Sequence, residues 1–380
     1  MENKKILITY ATYGSGHKTV ANYIYDYLQK YSNYEIKIID LMDYENLIGY
    51  ISKKAFEQNF KYKSSSIVFS ILYELFDSKT TTMPYKTITK SVFHNKKLKS
   101  EIISYNPDLL ISTHFFGNII VGMLNKKKLT NSKIISVITD YTSHEMWMKD
   151  ENSIDAFVVS NDIVKNELVN NNINPKKIYS YGIPISEKFQ ALSDIKFVKK
   201  KYKVDNNKKT FLFFAGGSVG SSFSYKFLKK LLSTKYDINI IFVCGKNEKL
   251  KRKSEVLISK QKYQNITIIG FSNEVNNLLN ISDVVITKPG GISITESLEM
   301  KKPMILIPGN GGNEIYNAKF VSKNGYGIKC RSPRKLTKIV GNMLKNKKIL
   351  INMKQKLNKY NDNKSIEKIY KLSQEILKQK

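Results

Sequence analysis

The sequence predicts an α/β protein of two doubly wound domains facing across a cleft, each a parallel sheet with helices on both faces. Three observations predict it. The chain has 380 residues, more than one hydrophobic core usually serves. Short, nearly continuous apolar runs recur with spacers long enough for helices, as expected of strands buried on both faces. Several runs end in glycine, where a ligand approaches the carboxyl end of a parallel sheet.

In the first half the runs fall at residues 6–10, 36–39, 109–111, 134–138, 156–159 and 177–179. The stretch YGIPISEKF at 181–189 contains Gly182 and Pro184, interrupts the pattern and reads as a linker. In the second half TFLFFAG, INIIFVCG, NITIIGF, DVVITKPG, PMILIPG and YGIKC begin near Thr210, Ile238, Asn265, Asp283, Pro303 and Tyr326. From Leu336 the chain is Lys-rich, helical in period and without proline. The expected organisation is a Rossmann-like domain at 1–185, a second at 186–350, and a helical tail at 351–380 that packs back across the domains.

Composition narrows the class. Apolar residues make up 41% of the chain, well outside the disordered range. Cys244 and Cys330 are the only cysteines, so a disulfide framework is not expected and a reducing cytosol fits. The N-terminus leads straight into a strand-like run and then glycines, unlike a secretory signal. No apolar stretch approaches the roughly 18 to 20 residues of a membrane span. The charge is +31, from 63 basic and 32 acidic side chains. Such a surface attracts anionic lipid or nucleic acid. Lysine is spread everywhere and arginine is scarce, so a general compositional bias is the other source of the excess. The basic runs at 126–128 and 251–253 read as solvated faces. No helix-turn-helix, RNP-like aromatic pair or zinc finger appears, and no nucleic-acid partner is expected.

The stretch ILITYATYGSGHKTVANYI at 6–24 carries the first chemistry. Gly14 and Gly16 permit a tight turn and close approach to a ligand, and Ser15 adds a hydroxyl. His17 falls in the first turn of the helix that carries Val20, Ala21 and Ile24. Helix N-terminal N–H groups favour an anion and disfavour an imidazolium, so a neutral histidine able to take a proton fits there. The spacing is neither GxGxxG nor GxxxxGK. A glycine turn with a structural histidine is the alternative.

ATYGSGHKTVA resembles the N-terminal motif of the diacylglycerol glycosyltransferases. That family includes the plant monogalactosyldiacylglycerol synthases and the processive diacylglycerol glucosyltransferases of Gram-positive bacteria. It is related to the enzyme that adds N-acetylglucosamine to a lipid-linked peptidoglycan precursor. Further motifs follow in family order: NPDLLISTHFF (106–116), VITDYTSHEMW (137–147), YGIPI, FFAGGSVG (213–220), TKPGGISITESL (287–298) and NEIYNAKF (313–320). The resemblance implies a GT-B fold and an inverting transferase. It also implies a UDP-sugar donor, no further cofactor and no metal on the donor diphosphate. His17 matches the family histidine beside the sugar, a candidate base or orienter. Asp140 follows a strand and is a candidate base or orienting carboxylate; a helix or turn cap is its plain alternative. His114 and His144 fall just past strands and are expected to face the same cleft. His94 lies in a Lys-rich polar region and reads as a surface residue.

The donor half is carried by KPGGISITESLEMKKPMILIPG. Gly290 and Gly291 leave a strand, and Ile292, Ser293, Ile294 and Thr295 start a helix whose N–H groups suit a diphosphate. Glu296 resembles the family glutamate that accepts hydrogen bonds from the ribose hydroxyls; the alternative is a first-turn glutamate that stabilises the helix dipole. Gly216, Gly217, Ser218 and Gly220 form a second glycine loop, similar to one that faces the donor phosphates. Phe271, in GFSNEVNNLL, matches the region around the base and is expected to cover the uracil. Asn273 or Glu274 is expected to cap the next helix. Asn313 and Glu314 match positions near the transferred sugar. Here the chain reads PGNGGNEIYNA where the family usually has Pro-Gly-Gln-Glu.

Residues 47–79 combine KKAFEQNFKYK with SSSIVFSILYELF, a basic segment beside an apolar helix that carries Val68 and Leu72. The resemblance implies contact with the lipid acceptor and with anionic membrane lipids; a buried core helix is the alternative. The reaction so implied moves a hexose, glucose in the bacterial branch, to diacylglycerol or glycosyl-diacylglycerol. It places a peripheral enzyme at the cytoplasmic face of the membrane. Galactose transfer to diacylglycerol and N-acetylglucosamine transfer to a peptidoglycan precursor are the enzymatic alternatives.

Overall fold

The computed structural model describes residues 4–12, 15–44, 95–216, 221–261, 263–309, 312–360 and 364–378. They form two compact units. The first runs through Ser186 and also takes in Asn313 and the C-terminal helix; the second holds the remainder from Glu187. Among the described residues no helix is long and apolar enough to cross a membrane.

The first unit is built on β1 (Lys5–Tyr10), α1 (Ser15–Tyr31), β2 (Glu35–Asp40), α2 (Lys96–Tyr105), β3 (Leu109–Ser112), α3 (Phe115–Lys126), β4 (Lys133–Val137), α4 (Glu145–Met148), β5 (Ala156–Val158), α5 (Asp162–Asn170) and β6 (Ile178–Tyr179). The six strands pair in the order β2-β1-β3-β4-β5-β6, all parallel. The apolar runs make these strands because Ile6, Leu7 and Ile8, and then Leu109, Leu110 and Ile111, have no exposed surface at all. Local chemistry sets the helix ends. Asn95 accepts from the Leu98 N–H at 2.9 Å to start α2, and Asn106, in a left-handed conformation (φ 46°), ends it before Pro107. Asn161 caps α5 through the N–H groups of Ile163 and Val164. Gly117 in α3 is a packing requirement. A Cβ there would collide with the hydroxyls of Thr9 and Ser112, which bond each other at 2.9 Å.

The second unit is built on α6 (Ile195–Lys201), β7 (Lys209–Phe214), α7 (Ser221–Leu232), β8 (Ile238–Val243), α8 (Glu248–Gln261), β9 (Ile266–Ile269), α9 (Val275–Asn280), β10 (Val284–Thr287), α10 (Gly291–Glu299), β11 (Met304–Leu306), α11 (Asn313–Lys323), β12 (Gly327–Lys329), α12 (Pro333–Lys345) and α13 (Lys347–Asn358). Its sheet is also wholly parallel, in the order β12-β11-β10-β7-β8-β9. Phe211, Phe213, Phe227 and Phe242 lie at the centre of its core, each fully buried. Ser332 caps α12 and Pro333 occupies the first turn, where its missing N–H costs nothing.

The last helix, α14 (Ser365–Lys378), packs on α1 and β4. Ser365 donates to the Gly182 carbonyl at 2.6 Å and Tyr370 to the Tyr31 carbonyl at 2.8 Å. The two sheets are the doubly wound pair expected from the apolar runs. In each, the strand order reverses beside the first strand of the unit, between β1 and β3 and between β7 and β10. Ligands of such sheets bind at the carboxyl ends of the strands flanking that reversal.

Candidate functional site

In the first unit the reversal is lined by the loop after β1 and the loop after β3. Asp40, at the end of β2, holds the first of these. It accepts from the Thr12 N–H at 3.2 Å and from the Thr12 hydroxyl, and it also accepts from the Met42 N–H. Gly14 lies outside the described residues; α1 then opens at Ser15, so Gly16 and His17 sit in its first turn.

Two residues across the sheet fix the His17 ring. Its Nδ1 lies 2.6 Å from the Thr113 carbonyl oxygen and 3.0 Å from the Thr139 hydroxyl. A carbonyl only accepts, so the proton belongs on Nδ1 and the lone pair on Nε2. The Thr113 hydroxyl also donates to the His17 carbonyl at 3.0 Å. Burial pushes the His17 pKa below its ordinary value of 6.5; the Asp140 carboxylate and the Thr113 carbonyl offset part of that fall. The result is a half-buried neutral imidazole whose hydrogen-bonded nitrogen is turned to the protein. Its basic nitrogen has the protonation state that general-base chemistry needs.

Asp140 lies just beyond β4, is 8% exposed, and accepts from the Asn313 side-chain amide at 2.5 Å. Of the plain alternative, a helix or turn cap, the helix cap falls to His144, whose Nδ1 accepts from the Met146 N–H at 3.1 Å. His114 likewise caps α3, with Nδ1 accepting from the Phe116 N–H at 3.3 Å. The His114 ring sits edge-on to His17 at 4.9 Å. Its pKa falls well below 6.5, first through burial and then through the neighbouring rings of His17 and His144. His114 and His144 are thus both buried beside the site, and each uses Nδ1 to start a helix. Their Nδ1 atoms accept, so each ring carries its proton on Nε2, the reverse of His17.

In the second unit the reversal brings together the glycine that follows β7 and the KPGG turn that follows β10. Gly216 has φ 87°, a conformation that glycine alone adopts without strain. Gly217 and Ser218 lie outside the described residues, as does Gly220. Gly290 is the N-cap of α10, has no side chain to occupy the helix end, and faces open space. Gly291, Ile292 and Ser293 form the first turn. Their N–H groups present the arrangement that suits a phosphate. Glu296 is 7% exposed and sits in the second turn. That position corrects the first-turn alternative, because the dipole effect falls off beyond the first turn.

Three residues here were not singled out from sequence. Thr113 and Thr139 orient His17 from 96 and 122 residues away, a relation with no local signature. Lys288 is the third. Its amine lies 3.7 Å from where a Cβ on Gly216 would stand, at the junction of the two loops. Burial pushes its pKa below the usual 10.5, and the Glu314 carboxylate offsets part of that shift. A lysine directly before PGG, at a strand end, was the available signal. Glu314 itself folds over Gly309, where any Cβ would strike its carboxylate.

Other expected positions fall differently. Phe271, just past β9, is 63% exposed, with the Lys246 amine 5.5 Å above its ring. Glu274 stands at the N-cap of α9 but makes no cap bond. Its carboxylate instead accepts from Lys201 at 2.6 Å and Tyr202 at 2.8 Å, which corrects the expected capping role. Asn273 makes no side-chain cap for α9, whose N-cap is Glu274. Asn313 was placed near the sugar by resemblance; it belongs by its contacts to the first unit and bonds Asp140. His94, Val68, Leu72 and the whole of 47–79 lie outside the described residues.

Two family models match the chain: monogalactosyldiacylglycerol (MGDG) synthase over residues 17–185, and the glycosyltransferase family 28 C-terminal domain over residues 211–372. A processive diacylglycerol beta-glucosyltransferase of Bacillus pumilus is 30% identical over 356 residues, 93% of this chain and 90% of that protein. One from Staphylococcus carnosus is 28% identical over 379 residues, 99% of this chain and 93% of that protein. Among solved structures, Acinetobacter baumannii MurG aligns with a TM-score of 0.64 at 15% identity, covering 98% of this chain and 99% of that one. UDP-GlcNAc 2-epimerase from Neisseria meningitidis, bound to UDP-GlcNAc, aligns with a TM-score of 0.60 at 13% identity, covering 98% and 100%. At such identities the structural likeness speaks for the fold alone.

Proposed function

We infer the reaction from one premise: the chain belongs to the family of processive diacylglycerol beta-glucosyltransferases, which it matches over nearly its whole length. It is a UDP-sugar-dependent glycosyltransferase of GT-B fold that moves a hexose to diacylglycerol, processively, in glycolipid synthesis. The finer assignment is that the hexose is glucose, as the names of those relatives suggest for this chain. The near full-length match is the observation that carries the reading. The glycine-started helix after β10, with Gly216 beside it at the reversal of the second sheet, supports it.

The chemistry follows from the residues. An acceptor hydroxyl oxygen forms a bond to the anomeric carbon as the bond from that carbon to the β-phosphate oxygen breaks, its electron pair leaving with UDP. The hydroxyl proton goes to Nε2 of His17. Asp140 stabilises the imidazolium so formed, since it is the charge that already favours a protonated His17. The first-turn N–H groups of Gly291, Ile292 and Ser293 receive the diphosphate, and Lys288 supplies the balancing positive charge. Glu296 accepts from the ribose hydroxyls, and Phe271, already exposed, covers the uracil. Glu314 and Asn313 serve the sugar and the carboxylate Asp140. A hexosyl product carries new hydroxyls and is therefore chemically an acceptor, which is what processive transfer requires. UDP-sugars are soluble and diacylglycerol is not, so the enzyme works as a peripheral protein at the cytoplasmic face.

Labelled UDP-glucose, UDP-galactose and UDP-N-acetylglucosamine, each incubated with the protein and diacylglycerol-containing vesicles, test this directly. Label from UDP-glucose is expected in the lipid extract as mono- and then diglycosylated diacylglycerol. Label entering only from UDP-N-acetylglucosamine would replace the donor assignment.

A further inference from the structure

The net charge is +31, and four of the cations behind it line one groove. Helices α7 and α8 lie side by side on one face of the second unit's sheet. Between them runs a groove of about 510 Å³. Lys229 on α7 and Arg252, Lys253 and Lys260 on α8 line it, and no acidic residue does. All four are exposed, and among the described residues no carboxylate forms an ion pair with any of them. The wall between the cations is apolar. Val256 is 53% exposed in the middle of a charged helix, and the Lys253 amine stands 4.3 Å above the ring of Tyr225.

Arg252 sets this groove apart from a general surplus of lysine. The chain has three arginines among its 63 basic residues, and one of them is here. A guanidinium offers a planar fork that binds a phosphate through two hydrogen bonds, whereas an ammonium acts as a point charge. Cations around an exposed apolar strip are what an interfacial lipid demands: phosphate above, glycerol and the first methylenes below. None of its lining residues belongs to the turns that follow β7 and β10. It offers no open aromatic face for a base to stack on, because Lys253 covers Tyr225.

We propose that the groove between α7 and α8 binds the phosphodiester headgroup of an anionic phospholipid, giving the second unit its own contact with the bilayer surface. This rests on the reading of the chain as an enzyme that acts on a membrane lipid, but its test is separate from transfer. The groove pair Lys229→Ser with Arg252→Ser is compared with the pair Lys347→Ser and Lys348→Ser. The second pair makes the same change in charge at exposed positions on α13. Co-sedimentation is measured with vesicles of phosphatidylcholine alone and with vesicles containing 30% phosphatidylglycerol, at fixed salt. Binding of the groove pair to the anionic vesicles should fall on the order of tenfold or more. The α13 pair should stay within about twofold of the parent, since diffuse surface charge is largely screened. Both should retain UDP affinity by calorimetry. Equal loss in the two pairs, or no loss in the groove pair, would overturn the proposal. So would a groove pair that keeps vesicle binding while losing a single-stranded oligonucleotide. Failure of the parent to transfer sugar would count against the reaction and leave the vesicle result standing.

Discussion

Replacing His17 by alanine should lower turnover about a hundredfold or more, the usual worth of a positioned base, with UDP affinity nearly unchanged. The effect is confined to the chemical step because His17 lies in the first unit, whereas the phosphate-suited turn belongs to the second. The protein should still fold. His17 keeps part of its surface accessible, and the backbone bond from the Thr113 hydroxyl to the residue 17 carbonyl survives the change. A pH profile separates a base from a merely structural ring. The base works only when neutral, and burial holds the His17 pKa below 6.5. Turnover should therefore persist as pH falls through 6.5, and its acid limb should begin below that value. Thr139→Val should move the limb by removing one of the two groups at Nδ1, with little change in the KM for donor. Near-normal turnover of H17A would pass the role of base to Asp140.

The second large effect concerns the donor. Lys288→Met keeps the length of the side chain and removes its charge. A hydrogen bond to an ionised partner contributes about 1.5 to 3 kcal/mol, so UDP should bind roughly ten- to a hundredfold more weakly. UMP lacks the β-phosphate, and its affinity should change far less. Glu296→Gln should behave differently: with the carboxylate proposed to hold the ribose, UMP and UDP should weaken together, by about 1 to 3 kcal/mol. Calorimetry with the two nucleotides thus reads the two positions separately. If K288M weakened UMP as much as UDP, the lysine would serve the packing of the Gly216 turn instead of the leaving group.

The fold was largely legible because strands buried on both faces must be apolar at every position. Ile6, Leu7 and Ile8 announce β1 with no help from the rest of the chain. Gly216 was legible for a related reason: its φ of 87° is one that glycine adopts without strain. What escaped was interaction at a distance. Thr113 and Thr139 are ordinary hydroxyl residues until the sheet brings β3 and β4 beside α1. Glu274 stood at the right place for a cap, but Lys201 and Tyr202, 73 and 72 residues away, took its carboxylate. His114 and His144 read as cleft-facing histidines because each falls just past a strand. Their hydrogen bonds to Phe116 and Met146 give each a structural task that sequence propensity does not foresee.

The proposed reaction is a single displacement at the anomeric carbon, with the acceptor proton taken by His17. The anomeric configuration of the product tests this most directly. UDP-glucose carries glucose in α-linkage, and one in-line displacement inverts it. Nuclear magnetic resonance of the purified lipid from UDP-glucose and diacylglycerol should show a β-linked glucosyl group, with one UDP released per sugar transferred. An α-linked product would mean retention of configuration, and the assignment of His17 as the base of a single displacement would be wrong.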